Sequence, residues 1–158
     1  MQSLYRETDH NEHALLLSLS GIKLVLPDIM VEEVFWPDHV QSVDASPDWF
    51  LGYFDWSGKR LPLISFEIMN GSRGREFLDG KSVAIINGSL NHRYLPYYAL
   101  LLEDKTQLVP LNKKSIAPEF GHQTLRAEAC WIKLDSEVAV IPKVEWIEEH
   151  LLAYVLNR

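Results

Sequence analysis

Residues 49–67 constrain this chain more than any other stretch. They read Trp49-Phe50-Leu51-Gly52-Tyr53-Phe54-Asp55-Trp56-Ser57-Gly58-Lys59-Arg60-Leu61-Pro62-Leu63-Ile64-Ser65-Phe66-Glu67, two apolar runs around a short polar turn. Such runs pair as antiparallel strands, over 51–56 and 61–66, and Gly58 accepts the positive φ that a tight turn demands. Trp49, Phe50, Tyr53, Phe54 and Trp56 lie within eight positions, and strand alternation sends them to both faces. One face fills the core; the other needs a second lobe or a partner protein, whose contact surfaces favour Trp and Tyr. Pro62 cannot donate to a ladder and points to a strand edge or bulge.

The same alternation of strand and turn recurs along the chain. Runs at 14–19 and 22–26 flank Ser20-Gly21 as a hairpin, and runs at 129–134 and 138–141 flank Asp135-Ser136-Glu137 as another. Ile29-Met30-Val31-Glu32-Glu33-Val34 suits a short helical turn with Asp28 as its cap, followed by a strand through 34–36. Further strands are expected at 82–87, 94–102 and 106–109, with irregular structure from 110 to 124. The 70–80 stretch, glycine-rich with alternating charge, has the composition of a hinge between lobes. After Pro142, the residues Val144, Ile147, Leu151, Tyr154 and Val155 recur at helical spacing, with Glu145, Glu148, Glu149 and His150 assigned to the polar face. Nine or ten short strands and one substantial helix in 158 residues describe an all-β, barrel-like or sandwich-like protein.

Composition narrows the function. The 47% hydrophobic content belongs to a folded chain, and a globule of this length buries roughly 70% of its extended-chain surface. The formal charge of −7, with Lys and Arg in single positions or pairs such as Lys59-Arg60 and Lys113-Lys114, provides no basic face for nucleic acid. The single cysteine, Cys130, sits among Ala129, Trp131 and Ile132, as a buried small hydrophobe would, and forms no internal disulfide. That usage fits the cytoplasm. The N-terminal residues do not read as a signal peptide, and no apolar run approaches the roughly 20 residues of a membrane span. Asn70-Gly71-Ser72 and Asn87-Gly88-Ser89 match a glycosylation pattern but read as turns without an export route.

The chain offers little foothold for catalysis. Ser20-Gly21 and Ser57-Gly58 suit turns, because neither lies in the glycine-x-serine-x-glycine elbow that exposes a nucleophile. Among His10, His13, His39, His92, His122 and His150, only His10-x-x-His13 has ligand-like spacing, and no cysteine or metal-bearing helix accompanies it. The neighbouring carboxylates Glu32-Glu33 and Glu148-Glu149 read as solvated or partner-facing charge, since acid–base work needs two groups facing one cleft. No glycine-rich phosphate loop occurs. The expectation is a protein with no catalytic residue, no metal and no cofactor.

Four segments in order, 15–27, Val31-Glu32-Glu33-Val34, Pro47 through Leu51-Gly52, and 56–66, resemble the CheW-like domain of chemotaxis coupling proteins, most closely the ChpC-type members of the Chp/Pil system behind type IV pilus motility. The likeness covers about residues 13–156, with its specific motifs in the first half. It implies two packed five-stranded, SH3-like β-barrels on a shared apolar core. Lobe one would span about 25–80, lobe two about 13–24 and 81–142, and a terminal helix 143–156. It also implies a cytoplasmic adaptor, recruited to membrane-bound receptor arrays, that joins a methyl-accepting chemoreceptor's cytoplasmic tip to the regulatory domain of a CheA-type histidine kinase. The interaction residues it implies are Gly52, Asp55, Trp56, Ser57, Gly58, Lys59 and Arg60. Ser57 stands where the family commonly has a partner-contacting arginine, which removes a forked, charge-assisted contact; Lys59 or Arg60 supplies positive charge from beside it. Two other classes share these sequence features: a β-barrel interaction scaffold unrelated to chemosensing, and an all-β small-ligand-binding protein.

Overall fold

Alternating apolar and polar positions become strands along most of the chain, in a computed structural model that describes residues 13–74, 76–111 and 116–157. The 1–12 stretch with His10, expected to be loose, and the Lys113-Lys114 pair lie outside the described residues. Eleven strands form among those described: β1 (His13–Leu19), β2 (Ile22–Pro27), β3 (Val31–Phe35), β4 (Phe50–Trp56), β5 (Lys59–Ile64), β6 (Val83–Asn87), β7 (Tyr97–Leu101), β8 (Gln107–Pro110), β9 (Ile116–Pro118), β10 (Glu128–Leu134) and β11 (Glu137–Pro142). A one-turn helix, α1 (Phe66–Met69), follows β5, and α2 (Val144–Leu156) ends the chain. The turn expected at 29–34 is only a 3-10 turn at Asp28–Met30, with Pro27 rather than Asp28 at its cap position and β3 starting at Val31. β9 falls inside the 110–124 stretch expected to be irregular.

The strands form a six-stranded sheet, ordered β8-β1-β2-β11-β10-β9, and a five-stranded sheet, ordered β3-β6-β7-β5-β4. Most neighbours are antiparallel, but β11 joins β2 and β5 joins β7 in parallel. The expected pair of five-stranded barrels is therefore corrected: one sheet has six strands, and neither closes. In the larger sheet the outermost strands are short and end at Pro110 and Pro118, where the chain has no N–H to extend a ladder. In the smaller sheet β3 and β4 stand at opposite ends, and the outer edge of β4 is occupied by an isolated bridge in which Gln41 and Tyr53 exchange N–H···O bonds of 2.8 and 2.9 Å. Side chains span the gap that backbone does not: Trp56 Nε1 on β4 donates to Glu33 Oε1 on β3 at 2.9 Å, and the Phe35 and Phe54 rings stack at 5.9 Å. The sheet is thus rolled without a closing ladder. Since β3 to β7 all lie in this sheet, the 70–80 stretch connects elements of one sheet.

The main core lies between the sheets. Leu17, Leu24 and Leu26 from the larger sheet meet Phe50, Ile64, Ile86 and Tyr98 from the smaller one, with Phe66 and Met69 of α1 and Ile147 and Leu151 of α2. Each fully buried side chain of this size contributes roughly 2 kcal/mol relative to exposure. The alternate positions of the same strands form two smaller clusters, one around Phe54, Leu63 and Ile85, the other around Leu16, Val25 and Ile132. The aromatic strand divides between cores through a bulge at Phe50/Gly52. Phe50 and Tyr53 face the shared core and α2, where Phe50 lies 4.7 Å from the Tyr154 ring, while Phe54 and Trp56 fill the far cluster. Both coverings come from this chain. Pro62 sits inside β5, opposite Tyr53, at a point where the parallel ladder to β7 has not yet begun; that ladder pairs Leu63 and Ile64.

Two expectations about side-chain position are corrected. Cys130 is exposed, because a register shift between Glu128 and Cys130 turns it outward. Glu148 is fully buried rather than on the polar face of α2, being one turn from both Val144 and Leu151. Its Oε1 accepts from Ser89 N (2.8 Å), Ser89 Oγ (2.8 Å) and Leu90 N (3.1 Å), and its Oε2 accepts from Tyr98 Oη at 2.8 Å. Burial, followed by the neighbouring Glu148, raises the Tyr98 pKa well above the ordinary phenol value and keeps it a donor. Replacing Glu148 by Ala strands these donors, and we expect a loss of about 3 kcal/mol in urea-unfolding free energy. A loss under about 1 kcal/mol would show that the network does not fasten α2.

Candidate functional site

The β4–β5 hairpin combines a rigid root with a polar tip. Ser57 and Gly58 are its two turn residues, with φ of 51° and 75°. Positive φ at both positions matches the right-handed twist of the strands they join. Gly58 meets that requirement without strain, and no atom lies within 4 Å of the place a Cβ would occupy. Ser57 adopts the left-handed region at a steric cost of about 1 kcal/mol.

At the root, Gly52 has φ of 140°, and a Cβ there would collide with the Gln41 carbonyl. Only glycine allows the 37–49 connection to approach β4 closely enough for the Gln41–Tyr53 bridge. Trp56 is buried and tied to Glu33, so its indole supports the tip from below.

The exposed members of the hairpin are Asp55, Ser57, Gly58, Lys59 and Arg60. Lys59 Nζ lies 5.8 Å from the Trp56 ring centroid and 5.7 Å from that of Tyr97. The Arg60 guanidinium lies 4.7 Å from the Tyr53 ring and donates to Gln41 Oε1 at 3.1 Å. Ring faces attract both cations and narrow their rotamer freedom, which lowers the entropy a partner contact would lose. Asp55 stands cross-strand from Arg60. Beside the hairpin, a cleft of about 200 Å³ is lined by Phe35, Asp38, His39, Tyr53, Asp55 and Arg60, among others.

The seven residues proposed from sequence thus occupy one hairpin but separate into two groups. Asp55, Ser57, Gly58, Lys59 and Arg60 face outward; Gly52 and Trp56 hold the hairpin in place. Sequence reasoning missed Gln41, Glu33 and Tyr97, which fix the root, the Trp56 indole and the Lys59 amine. Their sequence distance from the hairpin leaves no local signal; only strand order and register bring them near. Among the described residues, no group of three or more His, Cys, Asp or Glu side chains is placed to hold a metal ion, and no helix is long and apolar enough to cross a membrane.

The family model of the CheW-like domain matches residues 13–150. Among solved structures, the chain is similar to the crystal structure of the scaffolding protein TtCheW from Thermoanaerobacter tengcongensis, with a TM-score of 0.67 and 20% sequence identity, covering 84% of this chain and 89% of that one. At that identity the likeness concerns the fold. No curated protein sequence matches the chain.

Two substitutions separate root from tip. Gly52→Ala should lower the unfolding free energy by about 2 kcal/mol or more, from left-handed strain and collision with Gln41. Ser57→Gly should raise it by about 0.5 kcal/mol, by relieving the same conformation where nothing is buried. Chemical denaturation measures both, and a neutral Gly52→Ala would contradict the close approach at the root.

Proposed function

We propose that this chain, which belongs to the CheW-like domain family and is a non-catalytic adaptor of chemosensory signalling, joins a methyl-accepting chemoreceptor's cytoplasmic tip to the regulatory domain of a CheA-type histidine kinase through the β4–β5 hairpin, as one domain spanning 13–156. The observation that carries this reading is the preorganised tip. A turn with two positive-φ residues presents Lys59 and Arg60 on aromatic supports, within a region matched by the family model. The narrower assignment, to the Chp/Pil system behind type IV pilus motility, is supported by the likeness of residues 15–66 to ChpC-type proteins. With Ser57 at the turn, the contact relies on Lys59 and Arg60 beside it rather than on a forked guanidinium at the turn itself. Signalling follows from the placement of the partners relative to one another. A cytoplasmic location, at receptor arrays, belongs to the same proposal.

Titration calorimetry with the kinase regulatory domain and with the receptor tip tests this reading. Wild-type protein should bind with a dissociation constant in the micromolar range. Gly58→Val puts a β-branched side chain in the left-handed region and should weaken binding at least about tenfold, or about 1.4 kcal/mol, while circular dichroism shows the protein folded. Ser57→Arg should change affinity for one partner more than for the other. Folded wild-type protein that binds neither component, or a folded Gly58→Val variant with wild-type affinity, would contradict the proposal.

A further inference from the structure

The smaller sheet rolls up without a closing ladder, and a cleft of about 200 Å³ lies between the end of β3 and the outer side of β4. Its aromatic lining is Phe35 of β3 with Tyr53 and Phe54 of β4; the Phe35 and Phe54 rings stack at 5.9 Å with 22° between their planes. Its polar lining comes from Asp38, His39 and Gln41 of the 37–49 connection and from Asp55 and Arg60 of the hairpin. Asp55 stands cross-strand from Arg60, yet that guanidinium turns to Gln41 Oε1 at 3.1 Å and to the Tyr53 ring at 4.7 Å. Among the described residues, no ion pair involves Asp38 or Asp55, and both are exposed. The cleft therefore brings two carboxylates without a cationic partner beside aromatic rings, next to one cation that is engaged elsewhere.

We propose that this cleft is a subsite for one arginine side chain of the protein that docks on the hairpin. Its volume is below the roughly 300 Å³ at which pockets for whole small molecules begin, and it suits a single long side chain. A partner strand has no room between β3 and β4, because the Phe35–Phe54 stack and the Trp56–Glu33 hydrogen bond already bridge them and Gln41 occupies the β4 edge at Tyr53. With one more carboxylate than cation, the lining attracts positive charge and repels phosphate or carboxylate groups. Among the described residues, no group of three or more His, Cys, Asp or Glu side chains is placed to hold a metal ion, which favours a cation carried on a side chain. Guanidinium fits better than ammonium, since it is planar, weakly hydrated, stacks on ring faces and matches carboxylates with a fork of donors. Lys59 and Arg60 lie next to the subsite, so the hairpin presents positive and negative charge side by side, and a partner must match both in register. The inference rests on the docking role of the hairpin for its use, while the binding chemistry of the cleft stands without a partner.

NMR titration of the full chain tests the subsite, at about pH 8, where histidine is neutral as a rule. N-acetyl-arginine methylamide, whose one charge is the guanidinium, should give saturating shifts at Asp38, Phe54 and Asp55. The lysine counterpart should give weaker shifts, and the norleucine counterpart none that saturate. Asp38→Asn combined with Asp55→Asn alters exposed side chains only and should abolish the response in a folded protein. The same double variant should bind the kinase regulatory domain or the receptor tip about tenfold more weakly than the wild type, and the difference should shrink as salt is raised. Arginine shifts that do not saturate, that norleucine equals, or that persist in the folded double variant would overturn the proposal. A double variant that binds both partners as tightly as the wild type would also overturn it, while leaving the hairpin reading intact. Wild-type protein that binds neither partner would instead sink the hairpin reading, and the arginine and norleucine titrations would still decide whether the subsite exists.

Discussion

Two buried carboxyl groups, Glu148 and Glu128, fasten the terminal helix to the five-stranded sheet and the six-stranded sheet to the end of α1. A carboxyl group withdrawn from water is tolerated only when its oxygens find donors, and here the donors come from other parts of the chain. Glu148 on the terminal helix collects the β6–β7 loop and Tyr98 of the five-stranded sheet. Glu128 on the six-stranded sheet accepts from Leu125 N, from Trp131 Nε1 and, at 2.8 Å, from Asn70 Nδ2 at the end of α1. Asn70 then accepts from Ala127 N, and Arg126 Nε donates to Met69 O at 2.8 Å. Among the described residues, every buried side-chain nitrogen and oxygen has a hydrogen-bond partner. Apolar burial supplies the cohesion of the core, while these directional bonds select one arrangement of the sheets from the many that hydrophobic contact alone would allow.

Fastening at the core leaves the edges free to serve other purposes. The five-stranded sheet rolls until Trp56 reaches Glu33, yet it forms no closing ladder, and the 37–49 connection uses the outer edge of β4 for a single bridge. The result is a hairpin supported on both faces, with a short polar tip clear of the body. An adaptor benefits from such a feature, because a tip already held in its bound shape loses little conformational freedom on docking. With serine at the turn, the positive charge of the hairpin lies two and three positions on, at Lys59 and Arg60, and rests on aromatic rings.

Much of this was legible in the sequence, and the failures share a cause. The β4–β5 hairpin, its glycine turn, the terminal helix and the all-β class follow from local periodicity and turn chemistry. Closure of the barrels does not, because it depends on which strand edges meet. Pro110 and Pro118 end the outer strands of one sheet, and Gln41 occupies an edge of the other. The outward turn of Cys130 arises from a one-residue register shift that an apolar neighbourhood conceals. The position of Glu148 was available from spacing alone, as it follows Val144 by four and precedes Leu151 by three; its charge argued for the surface, and the Ser89 and Tyr98 donors that reverse that argument lie some 50 to 59 residues away. At the hairpin, the sequence likeness named seven residues without separating the exposed Asp55, Ser57, Gly58, Lys59 and Arg60 from the buried Gly52 and Trp56, and the supports that Tyr97 and Glu33 give to Lys59 and Trp56 come from separate strands.

A map of backbone amide chemical shifts in this chain, recorded as the kinase regulatory domain and separately the receptor tip is added, tests the docking role of the hairpin most directly. At least one partner should move the resonances of Asp55, Ser57, Gly58, Lys59 and Arg60 most, with smaller changes at Tyr97 and Gln41 through the supporting contacts. Changes confined to the six-stranded sheet, with the hairpin resonances unmoved by both bound partners, would contradict that role.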